Sequence, residues 1–170
     1  MMAGPEIETY LLQPGEGMPN NGRFPLVVYR GALAGEARTP EGCQALFRRN
    51  GWQGTWVNGV FPWWHYHLRS HEVLGCVAGG ARIGFGGDQG VVAEVEAGDV
   101  VVIPAGVGHK RLAQQPGFVV VGGYPPGQDG TVSTPDEVPL EAAIREVAAV
   151  PVPETDPVVA AAVGLPVLWR

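Results

Sequence analysis

The stretch Gly59-Val-Phe-Pro-Trp-Trp-His65-Tyr66-His67-Leu-Arg-Ser-His71-Glu72-Val-Leu-Gly-Cys-Val-Ala-Gly79 decides how this chain is read. It holds three of the four histidines of the chain, the fourth being His109. On an extended strand successive side chains alternate between faces, so His65 and His67 project from one face, one pleat apart, and can share an ion. Leu68 to His71 is a connection of the length that reverses a chain, which brings Glu72 beside the histidine pair from the next strand. His109 opens a later β-type run after Pro104-Ala-Gly106, and a closed barrel can deliver it to the same interior spot. Three imidazoles and one carboxylate suit one divalent ion of Fe, Mn, Ni, Zn, Cu or Co, with open positions left for water or substrate on an octahedral metal.

The surrounding text is that of an all-β protein. From residue 52 strand-length runs alternate with glycine-containing turns: Thr55–Asn58, Trp63–Leu68, Glu72–Val77, Ala81–Phe85, Val91–Val95, Val100–Ile103, His109–Leu112 and Phe118–Gly122. So many short strands in so little chain predict a closed barrel or jelly roll, a closure that also removes exposed sheet edges. Upstream, residues 1–25 are expected to form an irregular arm, Leu26–Tyr29 a short β run, and Thr39-Pro40-Glu41 the start of a helix over about 40–49 that Asn50-Gly51 stops. Downstream, Pro139–Ala149 carries Leu140, Ile144 and Val147 at helical spacing, predicting one face on the barrel. Residues 151–170 are expected to be an extended tail that lays Leu165, Leu168 and Trp169 on its own barrel or on a neighbouring subunit. The expected organisation is one domain over 1–170, with a barrel core about 52–124, an arm and helix over 1–51, and a helix and tail over 125–170.

Composition narrows the function. A net charge of −6, with no Lys/Arg cluster longer than Arg48-Arg49, disfavours nucleic-acid binding, which needs a basic face. No apolar run approaches the ~18 residues of a membrane span, and the opening residues carry acids and a proline where a signal peptide carries a basic and then an apolar stretch. A cytoplasmic protein is expected. Cys43 and Cys76 lack a CxxC spacing and are expected to be reduced thiols, Cys76 as core filler.

Gly59, five residues, His65-Tyr66-His67, four residues, Glu72, six residues, Gly79 resembles the first motif of the cupins in every fixed position, and Gly98, five residues, Pro104-Ala-Gly106, two residues, His109 resembles the second. The second motif usually ends in Asn four residues after its His; here that place is Ala113. The stretches His65 to Gly75, Pro104 to Lys110 and Gly122 to Gln128 are similar to the small single-domain bacterial YjlB-type cupins. The resemblance implies a cupin double-stranded β-helix, a jelly-roll barrel, with a short N-terminal helix and a C-terminal helix and tail. It also implies metal ligands at His65, His67, Glu72 and His109. It brings no reaction with it, since cupins range from dioxygenases and isomerases to storage proteins.

Two functions remain open. One is a metal-dependent enzyme, dioxygenase- or isomerase-like, acting on a small oxygen-rich or anionic metabolite. The other is a non-catalytic metal- or small-ligand-binding module of the sensor or storage kind. A small-molecule ligand and a homodimer are expected in either case. His71 should point away from Glu72's face, making it a surface residue or one beside the site. Trp63 shares the parity of His65 and His67 and should wall the interior, while Trp64 and Tyr66 should face outward. Arg82, Phe85 and Arg111 are candidates to flank the cavity, and Gly84–Gly90 reads as a strand connection, lacking the GK[ST] of a phosphate loop.

Overall fold

A computed structural model of the chain describes residues 4–170. Its elements, in chain order, are β1 (Glu6–Leu12), β2 (Asn21–Arg30), α1 (Pro40–Arg49), β3 (Gln53–Asn58), β4 (Tyr66–His67), β5 (Glu72–Ala78), β6 (Gly80–Phe85), β7 (Val91–Glu96), β8 (Val100–Ile103), β9 (His109–Gln114), β10 (Val119–Tyr124), β11 (Val132–Ser133), α2 (Leu140–Ala148) and α3 (Leu165–Leu168). A six-stranded sheet in the order β1-β2-β8-β5-β10-β3 faces a three-stranded sheet, β7-β6-β9, and β11 and β4 form a separate two-stranded ladder. Every pairing is antiparallel, as a jelly-roll barrel requires.

The inner strands of the large sheet, β2, β8, β5 and β10, are buried on both faces, and side-chain parity sorts their residues. Leu26, Val28, Leu74, Cys76, Val101 and Ile103 face the barrel interior with Ile83 and Phe85 of the opposite sheet. Val27, Tyr29, Val73, Val77, Val100 and Val102 face outward, under α1 and the C-terminal tail. Continuous apolar runs such as Val100-Val-Val-Ile103 follow from this double burial. α1 begins as expected, Thr39 Oγ1 accepting from the Gly42 N–H, and buries Cys43 and Phe47 on the sheet. Gly75 permits that approach, since a Cβ there would lie 2.7 Å from Cys43 Sγ.

Several expectations are corrected. The arm is not irregular: β1 and the ten-residue β2 occupy most of it, and its first three residues lie outside the described ones. Glu6 and Glu8 belong to an edge strand, where charge is tolerated, and Arg30 of β2 binds the Glu8 carboxylate at 2.8 Å. The expected Trp63–Leu68 strand shrinks to Tyr66–His67 with an isolated bridge at His65. On α2 the buried positions are Ala143 and Val147, while Leu140 and Ile144 stay exposed, so the stripe is rotated from the expected one. The tail ends in α3 rather than running extended, and it covers its own barrel: Leu165 and Trp169 are fully buried, Trp169 stacks on Phe24 at 5.3 Å and its Nε1 donates to Pro25 O.

Asp156 pins this tail. Its carboxylate accepts the Tyr29 hydroxyl and the backbone N–H groups of Val158, Val159 and Leu165. Burial and the adjacent carboxylate push the Tyr29 phenol well above its ordinary pKa, so it remains a donor. Both cysteines are buried and unpaired, with burial pushing the Cys43 thiol up to about 12 and the Cys76 thiol up to about 11.

Candidate metal centre

The first motif enters the barrel along an irregular strand held to β9. His109 N donates to His65 O at 2.9 Å, His65 N to His109 O at 3.3 Å, and Arg111 N to Phe61 O at 2.9 Å. Gly106, at φ +89°, turns the chain into β9 and donates its N–H to His67 O at 2.8 Å; a side chain there would strike Asn20 O. These bonds put the His65 and His109 rings 4.0 Å apart and the His67 and His109 rings 5.4 Å apart. One ring nitrogen from each of the three lies within 4.8 Å of the others, and among the described residues no other His, Cys, Asp or Glu set is so gathered. Glu72, opening β5 on the interior face, sets Oε1 3.3 Å from His67 Nε2 and 3.4 Å from His109 Nε2. All four residues are at most 4% exposed.

Hydrogen bonds fix which nitrogen is free. Nδ1 of His65 meets Trp63 O at 2.9 Å, that of His67 meets Thr131 O at 3.3 Å, and that of His109 meets Val107 O at 3.0 Å. A carbonyl only accepts, so each Nδ1 carries a proton and Nε2 is the nitrogen turned to the interior. Backbone carbonyls on the distal nitrogen are how metal-ligating histidines are oriented. His67 Nε2 is buried without a hydrogen-bond partner. Burial, and after it the neighbouring His109, draw the His65 pKa down to about 3, keeping that ring neutral. For Glu72 burial works against the charge, but His67 and His109 outweigh it and hold the carboxyl well below its usual range. His67 is raised in turn: burial opposes a charge on its ring, and the Glu72 carboxylate more than offsets that. A buried carboxylate held ionised only by its imidazole neighbours favours positive charge at this spot, and three imidazoles with one carboxylate fit a divalent metal in that place.

The four residues face a cavity of about 800 Å³ whose wall includes Trp56, Leu74, Arg111, Phe118 and Tyr124. Trp56 Nε1 donates to the Tyr124 hydroxyl at 2.8 Å, and Gly122 leaves room for the indole to lie flat on β10. Burial and the Glu72 carboxylate push the Tyr124 phenol well up, so it stays protonated. Tyr124 was missed in the sequence, where Tyr124-Pro-Pro-Gly reads only as the end of a strand. Its parity with Gly122 and Val120, the latter an interior residue, was the available signal.

The remaining candidates separate cleanly. His71 does leave the Glu72 face, yet it is neither exposed nor near the site. It is fully buried beside Trp169, its Nδ1 accepting from Ala105 N and its Nε2 donating to Pro151 O, and burial lowers its pKa to about 4. Trp63 is 49% exposed and stacks on Phe61 rather than walling the interior, because the chain there is not a regular strand. Trp64 and Tyr66 point outward as expected, packing beneath α2 with Ala143 and Val147. Arg111 lines the cavity, Phe85 is buried with its ring 6.4 Å from His109, and Arg82 is exposed, 3.7 Å from Glu94. A larger cleft of about 960 Å³ lies elsewhere, between β1 and β7. Its Arg30 already bridges Glu8 and Asp99, so it is a charged seam of the surface.

An antiparallel barrel that gathers three inward-facing histidines around a cavity is a small metal-site β-barrel. The chain belongs to the cupin family: the family model described as Cupin matches residues 57–142. It is 37% identical over 164 residues to the uncharacterized protein YjlB of Bacillus subtilis, covering 96% of this chain and 97% of that one. Among solved structures, it is similar to the acireductone dioxygenase of Bacillus anthracis, at 17% identity over 61% of this chain and 79% of that one, with a TM-score of 0.42. A DMSP lyase chain matches at 15% identity and a TM-score of 0.37 over 65% of this chain, which spans 43% of the length of that lyase. No helix among the described residues is long and apolar enough to cross a membrane.

Proposed function

We propose that the chain is a metal-dependent enzyme acting on a small oxygen-rich or anionic metabolite, with dioxygenase- or isomerase-like chemistry, and that His65, His67, Glu72 and His109 hold its one divalent ion. The observation that carries this reading is the gathering of one ring nitrogen each from His65, His67 and His109 within 4.8 Å of one another, with the buried Glu72 carboxylate against His67 and His109. When bound, such an ion supplies Lewis-acid polarisation of a chelating oxygen. Three neutral imidazoles and one carboxylate leave a divalent ion with a formal charge of roughly +1, which favours a carboxylate, enediolate or hydroxyketone as guest. The chain's own side chains orient that guest: Leu74 and Phe118 keep the inner wall apolar, and Tyr124, anchored by Trp56, offers a fixed hydroxyl.

The withdrawal of His71 into the outer core favours a second reading, a non-catalytic ligand-binding cupin, because it leaves no imidazole in the cavity wall beyond the three proposed ligands. Reconstitution with Fe, Mn, Ni, Zn, Cu and Co, followed by a panel of sugars, keto acids and thiols, separates the two. Turnover of a panel member supports the enzyme; binding without turnover under every metal supports the binding module. Neither metal retention nor ligand binding would sink both. We place this function in the cytoplasm and in a homodimer of single-domain chains. The two buried free thiols support the first, and the exposed Ile7 and Leu11 of edge strand β1 support the second. Sedimentation showing only monomer at micromolar concentration removes the dimer.

A further inference from the structure

We infer that the guest of the metal cavity carries a second anionic group, a carboxylate or a phosphate, and that Arg111 binds it at the cavity mouth. This rests on the metal reading given under Proposed function and goes beyond it by naming the shape of the substrate: a chelating head with an anionic arm.

Arg111 lies two residues beyond His109 on β9 and therefore on the same face of that strand. Its backbone N–H is bonded to Phe61 O at 2.9 Å, which fixes its Cα beside the first-motif segment, and its Nη1 donates to Gln114 Oε1, another residue of the cavity wall. No carboxylate pairs with it: among the described residues, the ion pairs of arginine use Arg30, Arg69 and Arg82. Glu72 is the one acid of the cavity wall, and it already faces His67 and His109.

What distinguishes Arg111 from the other arginines outside these ion pairs is its place in the wall of the cavity that holds the three histidines and Glu72. Beside it Val57, Phe61 and Val132 are each 40% exposed or more, and the exposed amides of Asn58 and Gln114 are uncharged, so Arg111 is the one cationic side chain of the wall. The planar guanidinium fork matches a carboxylate or phosphate through two parallel hydrogen bonds, and Gln114 holds the fork while leaving other N–H groups to donate.

The test uses the full chain loaded with Co(II), whose visible absorbance reports both metal uptake and ligand binding. Three probes share one 2-hydroxycarboxylate head: lactate has no second anion, malate adds a carboxylate, and 3-phosphoglycerate adds a phosphate. At least one dianion should bind about tenfold or more tightly than lactate. Arg111→Gln should abolish the preference while changing lactate affinity less than about twofold, and Arg111→Lys should retain part of it. Co(II) uptake by each variant serves as the fold control. The relative strength of malate and 3-phosphoglycerate tells whether carboxylate or phosphate is the preferred arm. Equal binding of all three, binding of none, or a preference that survives Arg111→Gln overturns the inference and leaves the metal reading standing. Failure of the wild-type chain to take up Co(II) overturns both.

Discussion

His71 and Glu72 are neighbours in sequence, yet they enter opposite layers of the protein, and the two layers treat a buried imidazole in opposite ways. Outside the large sheet, His71 spends both ring nitrogens on backbone partners, Ala105 N and Pro151 O, and closes the tail over the barrel. Inside, His65, His67 and His109 each spend only Nδ1 on a carbonyl and turn Nε2 into the cavity beside Glu72. Burial is the same in both places. What separates a structural histidine from a prospective ligand is whether the second nitrogen is satisfied within the chain.

That contrast predicts a double dissociation: damage to the outer layer costs stability and spares metal binding, while damage inside does the reverse. The largest effect falls on Trp169→Ala, which empties the seat between Phe24 and His71 and should destabilise the fold by about 3–5 kcal/mol in urea unfolding with metal stoichiometry unchanged. His109→Ala should lower metal affinity at least about a hundredfold, some 2.7 kcal/mol, by competition with a chromogenic chelator. The metal-free variant should stay folded by circular dichroism. His71→Ala, which orphans the Ala105 N–H, should cost about 1–3 kcal/mol of stability and leave metal affinity within twofold; a loss of metal there breaks the contrast. The smallest effect is a null one. With thiols raised to about 12 and about 11 by burial, neither Cys43 nor Cys76 should react with a thiol reagent at pH 8 until the chain is unfolded.

Much of this is legible in the sequence. Spacing alone put His65 and His67 on one face, the glycine-punctuated runs implied a barrel, and Thr39-Pro40 marked the helix start to the residue. Other features were hidden for physical reasons. The uninterrupted Leu26-Val-Val-Tyr29 and Val100-Val-Val-Ile103 announce a sheet covered on both sides, but nothing local says that the distant tail is the cover. The expectation of a surface-exposed His71 fails on that point: its face was inferred correctly, and the layer above it was not. Glu6-Ile-Glu-Thr-Tyr alternates as a strand should, though its charges and the Pro/Gly-rich text after it mask the pattern, and only pairing with β2 makes it one. Arg111 shares the parity of His109, whereas the lack of a counter-ion that makes it informative is a property of the folded surface.

The central claim is that the inner histidines and Glu72 hold one divalent ion and that His71 does not. Anomalous scattering from a crystal of the purified chain, collected at the absorption edge of whichever metal elemental analysis finds, tests it directly. The account predicts one peak per chain, bounded by the Nε2 atoms of His65, His67 and His109 and by the Glu72 carboxylate, at roughly 2.0–2.3 Å from each. No peak at the site in metal-replete protein, or a peak that lacks Glu72 or engages His71, would contradict it.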